Sequence, residues 1–200
     1  MGVPTEWIKQ SLEAAPHVPG LVLLGMNPGT VEDKRNRPFV GPSGEMVRKV
    51  YLAGSNSFFD IASVYLANAV RCWTPLSAQP KSKHYDACWP HTAEDLERIA
   101  ANHAAPIRIL CLGVQAAKAA LKHLCNSKQR SFKHLLRSQG TPSPCNRYLL
   151  YFTFHPAAVL RNRPLIHAVA DHLSILHDAI TGKRPRPSSP TIVPPRAPVP

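Results

Sequence analysis

Short apolar runs alternate with longer amphipathic stretches along the chain, and this alternation restricts the possible folds more than any other feature. The runs have the length of buried strands and are rich in Val, Ile, Leu and aromatic residues. They cover 21–25, 63–70, 107–113 and 148–155. Stretches with helical spacing cover 43–53, 83–102, 115–125 and 164–181. Strand–helix alternation predicts an α/β fold, a three-layer α/β/α sandwich with a central four-stranded, mostly parallel sheet.

The composition changes after Gly182, which sets the expected domain boundary. Residues 183–200 are dense in proline and have no apolar periodicity, so we expect a disordered or polyproline-like tail there. Residues 1–182 are expected to form one domain. The opening residues lack a secretory pattern and no apolar stretch has the length of a membrane span. We therefore expect an intracellular protein of the cytoplasm or nucleoid, without membrane partners and with mostly reduced cysteines.

The chain is strongly basic. Lys and Arg total 24 against 12 Asp and Glu, which gives a formal net charge of +12. Such an excess favours polyanions as partners, because basic side chains neutralise phosphates and release their counterions. Nucleic acid is therefore a candidate partner, although part of the charge lies in the tail.

Polar residues lie at the ends of three apolar runs. Asn27 follows the first run, Asn68 ends the core of the second, and His155 ends the fourth. In open α/β sheets, ligands bind outside the carboxyl ends of the strands. We therefore expect two amides and one imidazole to converge on a single pocket.

Three motifs surround these residues. Residues 25–44 read GMNPGTVEDKRNRPFVGPSG, residues 68–75 read NAVRCWTP and residues 155–161 read HPAAVLR. In this order they resemble the motifs of the uracil-DNA glycosylase superfamily. The opening Gly-Met-Asn-Pro-Gly is similar to the single-strand-selective and mismatch-specific branches, whereas the remainder resembles the iron–sulphur branch, family 4.

The resemblance implies a monofunctional glycosylase that flips uracil out of DNA and hydrolyses its N-glycosidic bond, the first step of base excision repair. At the matching positions, Asn27 would orient the attacking water by hydrogen bonding, since an amide is no base at neutral pH. His155 would donate a hydrogen bond to O2 of the departing base, which a neutral imidazole can do.

The same resemblance assigns the pocket itself. Asn68 would read the uracil edge with one donor and one acceptor, and Phe39 would stack on the base. Gly25 and Met26 would complete the substrate contacts.

DNA contacts outside the pocket are implied at two further places. Leu160 would fill the vacated stack, and Arg161 would meet a phosphate. Ser43 and Gly44 would offer backbone N–H groups to a phosphate. The expected partner is uracil-containing DNA, single- or double-stranded, and the enzyme is expected to act as a monomer.

Two departures from family 4 concern the cofactor and the chemistry. Its cluster needs four Cys ligands, and Cys72 and Cys88 match only the second pair, since residues 1–24 contain no Cys. We expect no cluster, no other metal or cofactor, and a residual role for these two cysteines. Met26 stands where family 4 has Glu, so that branch's chemistry does not transfer as a whole.

The range of excised bases depends on Gly29. The most uracil-selective branch has a bulky Tyr there, which blocks the thymine methyl, whereas glycine blocks nothing. We therefore expect 5-substituted uracils or mismatched thymine to enter as well, unless Glu32 fills the space.

Other functional classes remain open at this point. A DNA-binding homologue with little or no catalysis is compatible with Asn27 and Met26. A generic nucleotide binder would need a Gly-rich phosphate loop, which Gly-Met-Asn-Pro-Gly is not. A lyase step would need an amine such as Lys34, which we expect to be solvated. We expect the remaining histidines, among them His84, His123 and His172, to lie on the surface.

Overall fold

The computed structural model describes residues 2–8, 18–54, 57–75, 79–103, 106–126, 132–137 and 143–183. Its strands form one sheet in the order β1-β3-β2-β4-β6-β5. The strands are β1 Glu6–Ile8, β2 Gly20–Gly25, β3 Ser63–Asn68, β4 Ile107–Leu112, β5 Ser143–Cys145 and β6 Tyr148–Thr153.

The centre of this sheet is the predicted one. Strands β3, β2, β4 and β6 are parallel neighbours and correspond to the four apolar runs. The prediction of four strands is wrong in number, because β1 and β5 pair antiparallel at the two edges and bring the total to six. Both edge strands have three residues, Glu-Trp-Ile and Ser-Pro-Cys, which are too short to form an apolar run in the sequence.

Helices connect the parallel strands. The four predicted amphipathic stretches form helices, the first of them as a short α-helix that continues directly as a π-helix. The helices are α1 Thr30–Arg35, α2 Pro42–Met46 with the π-helix Val47–Leu52, a 3₁₀ turn Phe58–Asp60, α3 Ser82–Ala101, α4 Val114–Cys125, α5 Phe132–Arg137, α6 Pro156–Arg161 and α7 Leu165–Thr181. The helices that the sequence did not predict, α1, α5 and α6, have six residues each, less than two turns of periodicity.

Both faces of the sheet are buried. Val22 and Leu24 of β2 pack into a cluster with α3 and α4. Leu21 and Leu23 point to the opposite face and pack with the π-helix and α7. Because all four side chains are fully buried, the strand reads as a continuous apolar run rather than an alternating one. The predicted three-layer α/β/α arrangement is confirmed.

Two cysteines behave differently from the prediction. Cys125 at the end of α4 and Cys145 on β5 form a disulfide, with Cα atoms 4.9 Å apart. The two cysteines are 20 residues apart in the sequence. The sequence did not indicate that they pair, because β5, which carries Cys145, was not predicted. Cys72, Cys88 and Cys111 are free thiols.

The expected tail lies outside the described residues apart from Lys183. Gly182, with φ of +71°, ends α7 in the left-handed conformation. In the described ranges, no helix combines the length and the apolar character that a membrane crossing requires.

Candidate active site

The predicted pocket forms where β2 and β3 end. Gly25 and Asn68 are register partners at the carboxyl ends of these two strands. A Cβ atom on Gly25 would overlap Oδ1 of Asn68 and would lie 2.7 Å from Cζ of Phe39. Only glycine therefore lets the amide and the aromatic ring meet at this point. The structure brings together three of the residues predicted to contact substrate.

Asn68 is held through its backbone rather than its side chain. Its carbonyl oxygen accepts a 3.2 Å hydrogen bond from Oγ1 of Thr92, a fully buried residue of α3. Among the described residues, no group hydrogen-bonds to the Asn68 carboxamide. A nearly buried amide with free donor and acceptor atoms is suited to recognising a planar amide edge.

Phe39 has an unusual backbone conformation that Gly44 makes possible. Its φ of +53° lies in the left-handed region, which costs free energy for an aromatic residue. A Cβ atom on Gly44 would overlap the carbonyl group of Phe39, so the helix start and this residue are in direct backbone contact. Arg48 also donates from Nε to the Phe39 carbonyl oxygen over 3.3 Å. These contacts fix the ring against Gly25.

Asn27 is anchored by a residue that the motif comparison did not single out. Its Nδ2 donates to the backbone oxygen of Pro28 and to Oγ1 of Thr74, each over 3.1 Å. With the amide nitrogen occupied, Oδ1 of Asn27 remains as an acceptor that can orient a water. Thr74 belongs to the second motif, but nothing in the local sequence distinguishes it from an ordinary loop threonine.

His155 lies at the start of α6 with a defined tautomer. Its Nδ1 accepts a 3.1 Å hydrogen bond from the backbone N–H of Ala157, so the proton of the neutral ring is on Nε2. Burial, with a smaller contribution from the positive charge of Arg161, lowers the pKa of His155 to about 4. At neutral pH the residue is therefore an uncharged Nε2–H donor, as its expected role requires.

The expectation that the other histidines lie on the surface is wrong for His172, which is 4% exposed. Its Nδ1 shares a 3.1 Å hydrogen bond with Oγ1 of Thr153, and its ring stacks on Phe154 at 6.0 Å. It thus supports the end of β6 just before His155. The sequence did not indicate that His172 is buried, because its burial depends on how α7 packs in the folded protein. His123 is also partly buried, stacked on Trp89 at 4.7 Å.

Glu32 occupies the space beside Gly29. Its Oε1 accepts hydrogen bonds from the backbone N–H groups of Val40 and Gly41, at 3.0 and 2.7 Å. Its Oε2 lies 2.8 Å from the position of a Cβ atom on Gly29. Glu32 therefore lies where the notional Gly29 side chain would be, and the range of excised bases stays a prediction.

The residues predicted to contact DNA outside the pocket differ in exposure. Leu160 is 36% exposed and Arg161 is exposed, both on the last turn of α6. Ser43 is half-buried, and Gly44 is buried beneath Phe39. Met26 is half-buried, and its backbone carbonyl accepts from the N–H of Val70 at 2.9 Å. Their roles in binding stay predictions.

The cysteines present do not fit a four-cysteine cluster. Cys72 is exposed and Cys88 is partly buried. Burial and the neighbouring Cys88 thiol raise the pKa of Cys72. Within the described ranges, no three His, Cys, Asp or Glu residues are grouped so that they could hold a metal ion. We therefore assign no step of the chemistry to a cluster.

An α/β sandwich with an amide and an aromatic ring at the carboxyl end of β2, and a neutral histidine just after β6, has the arrangement expected of proteins that take up a flipped nucleobase. The profile of the uracil DNA glycosylase superfamily matches residues 13–174. The chain belongs to this superfamily. The enzyme class expected from the motifs is thereby confirmed.

Individual relatives agree with the family 4 resemblance. The type-4 uracil-DNA glycosylase of Pyrobaculum aerophilum is 28% identical over 146 residues, 73% of this chain and 70% of that protein. The type-4 uracil-DNA glycosylase of Thermotoga maritima is 30% identical over 144 residues, 72% of this chain and 67% of that protein. Among solved structures, Pedobacter heparinus SMUG2 matches with a TM-score of 0.46 and 12% identity, over 83% of this chain and 77% of that chain.

Proposed function

We propose that the protein is a monofunctional uracil-DNA glycosylase that takes a flipped-out uracil into the pocket at the ends of β2 and β3. The observation that carries this proposal is the close meeting of Gly25, Phe39 and the free carboxamide of Asn68. A ring stacked on Phe39 presents its edge to that amide. The adjacent carbonyl and N–H of uracil match the amide's donor and acceptor, whereas the amino group of cytosine does not.

The proposed chemistry uses Asn27, which follows β2, and His155, which follows β6. When the C1′–N1 bond breaks, its electron pair leaves with the base and negative charge gathers on O2. His155 donates its Nε2–H to that oxygen and remains neutral throughout. The oxygen of a water held by Oδ1 of Asn27 adds to C1′, and one proton of that water is released. Because Asn27 cannot accept the proton as an aspartate can, we expect slower chemistry than in superfamily members with Asp.

No covalent intermediate and no cofactor are part of this proposal. Lys34 is exposed on α1, as expected for a solvated lysine, so we propose no lyase step. The proposed substrate is uracil-containing DNA, acted on by a monomer within the cell as the start of base excision repair.

The proposed base is uracil, with 5-substituted uracils and mismatched thymine disfavoured by Glu32. A 5-methyl or 5-hydroxymethyl group would compete for the volume that the carboxylate fills beside Gly29. Glu32→Ala should widen the range, so that 5-hydroxymethyluracil is excised faster relative to uracil than in wild type. Equal rates on both bases in the wild-type protein would show that Glu32 leaves room for the substituent.

The deciding experiment measures excision from labelled oligonucleotides with one uracil, single-stranded and opposite G or A, with hot alkali to reveal abasic sites. We expect alkali-dependent cleavage, reduced about a hundredfold in Asn27→Ala and in His155→Ala. His167→Ala, at an exposed histidine of α7, is the matched control and should keep wild-type activity.

The second candidate function is a DNA-binding homologue without catalysis, favoured by the amide at Asn27 where faster enzymes have a base. It predicts binding to uracil-containing or abasic DNA without strand cleavage after alkali. Folded protein that binds such DNA but releases no uracil would establish this function and refute the first.

A further inference from the structure

A groove of about 500 Å³ lies beside Phe39, which is one of its lining residues. It is formed by α1, the loop that follows it, and the start of the α2–π-helix segment. Phe39 is common to both places, since its ring meets Gly25 in the pocket and its carbonyl accepts from Arg48, which lines the groove. When the uracil of a DNA strand lies in the pocket, a neighbouring nucleotide of the same DNA strand can therefore reach this groove.

The lining of the groove is cationic. Four basic residues and a single acidic one, Glu45, line it; the basic ones are Arg35, Arg37, Arg48 and Lys49. In the described part of the chain, the Arg35 guanidinium makes no hydrogen bond or ion pair, and it is exposed. Lys49 pairs with Glu45 at 2.6 Å, but its side chain is 73% exposed, and such surface pairs are weak enough for a phosphate to replace.

The two remaining arginines are held in place by one carboxylate. Glu6 of β1 accepts from Arg37 and, over 3.1 Å, from Arg48. The Glu6 side chain is 19% exposed, whereas that of Arg37 is 60% exposed. Each guanidinium retains N–H donors that these bonds do not use, and the shared carboxylate orders both side chains before a ligand binds.

The remaining lining is apolar: Val31, Phe39, Val40 and Pro42. A free anion needs no such surface, whereas a nucleotide has an apolar sugar and base beside its phosphate. We propose that this groove binds one nucleotide unit of the DNA strand next to the flipped uracil, with its phosphodiester on Arg35 and Lys49 and its sugar or base on the apolar residues. This inference rests on the proposed function, because it places the flipped base in the neighbouring pocket.

The test compares Arg35→Glu with Lys34→Glu, the adjacent residue of α1, which is exposed but does not line the groove. Both variants change the charge equally. Excision is measured on single-stranded oligonucleotides shortened from the 5′ or from the 3′ side of the uracil. In wild type, shortening on one side should raise KM about tenfold and shortening on the other side should not.

On full-length substrate, Arg35→Glu should have the same raised KM that wild type shows on the substrate shortened at the sensitive side. Shortening the substrate on that side should have no further effect in this variant, and its kcat should equal that of wild type. Its affinity should also depend less on salt, with a slope of log Kd against log salt smaller by about 0.7 per lost phosphate contact. Lys34→Glu should behave as wild type. Equal behaviour of the two variants, or equal effects of shortening on both sides, refutes the groove as a nucleotide site.

Binding of fluorescent oligothymidylate, measured by anisotropy, separates this inference from the proposed function. If the protein excises no base, but Arg35→Glu weakens binding of the oligothymidylate and Lys34→Glu does not, the nucleotide assignment of the groove stands and only the catalytic proposal fails. Displacement of the oligonucleotide by polyglutamate of equal charge would show a general polyanion site and overturn the nucleotide assignment.

Discussion

The two walls of the base pocket are built in different ways. The first wall, residues 25–44, is shaped mainly by contacts within itself: Glu32 accepts from the backbone of Val40 and Gly41, and Gly44 packs on Phe39. Hydrogen bonds to Thr74 and from Val70 join it to the second wall. The second wall, residues 68–75, is fixed by distant parts of the chain, through α3 and the N-terminal segment. The first can be understood as one local motif, and the second only as part of the tertiary structure.

Four hydrogen bonds connect the second wall to α3 and to the N-terminal segment. Thr92 donates to Asn68, as described above, and Arg71 donates to the backbone oxygen of His91 at 2.7 Å and to Asp95. The N–H of the buried Val3 donates to the carbonyl oxygen of Arg71 at 2.8 Å. Protein contacts thus connect the same two elements, this wall and α3, that carry Cys72 and Cys88.

The largest effect should come from the first wall. A Cβ atom at Gly44 meets backbone atoms of Phe39, which cannot move without displacing the ring, so Gly44→Ala should lower the free energy of unfolding by about 3 kcal/mol. Activity should be lost as well. Gly29→Ala is the matched control, because its Cβ meets the movable end of the Glu32 side chain and should be tolerated. Urea unfolding measures both, and equal losses would contradict the backbone argument.

In the pH range where histidine titrates, acid should act on the end of β6 and on α7 rather than on either wall, since residues 25–44 and 68–75 contain no histidine. Burial lowers the pKa of both His155 and His172 to about 4, from an ordinary 6.5. Between these values the unfolded chain binds more protons than the folded one. The stabilisation is therefore complete above pH 6.5 and is lost as the pH falls toward 4.

As the pH falls through that interval, we expect each histidine to reduce the free energy of unfolding by up to about 1.4 kcal/mol per pH unit. Urea unfolding at a series of pH values should show a shallower slope in His172→Asn, which keeps a group near the Nδ1 position bonded to Thr153. Unchanged slope in this variant would assign the acid sensitivity elsewhere. Excision by wild type should stay constant down to about pH 5, because His155 remains neutral there.

The contrast between the walls also explains how far the sequence could lead. The parallel centre of the sheet was predictable because its strands are continuous apolar runs, and Asn27, Asn68 and His155 followed from their positions at strand ends. Glu32 could be suspected, because its contacts span at most nine residues. Thr74, Thr92 and the buried side of His172 could not, because their partners are 47, 24 and 19 residues away.

A smaller effect should come from the second wall's arginine. Arg71→Ala removes two hydrogen bonds of a side chain that is 19% exposed, and should lower the free energy of unfolding by about 1.5 kcal/mol. Arg98 also pairs with Asp95 but is 68% exposed, so Arg98→Ala should change stability by less than about 0.5 kcal/mol. If the wall positions Asn68, Arg71→Ala should also reduce the preference for uracil over cytosine, while Arg98→Ala leaves it intact.

The smallest effect should come from Cys72 of the second wall and Cys88 of α3. If the contacts of Arg71 and Thr92 hold residues 68–75 to α3, then Cys72 and Cys88 are not needed for this purpose. Cys72→Ser combined with Cys88→Ser should change the free energy of unfolding by less than about 0.5 kcal/mol, as substitutions at half-exposed sites usually do. Excision should stay near wild type, and elemental analysis should find equal iron in both proteins. A loss of bound iron together with activity would mean that the cysteines, rather than the protein contacts, fix the second wall.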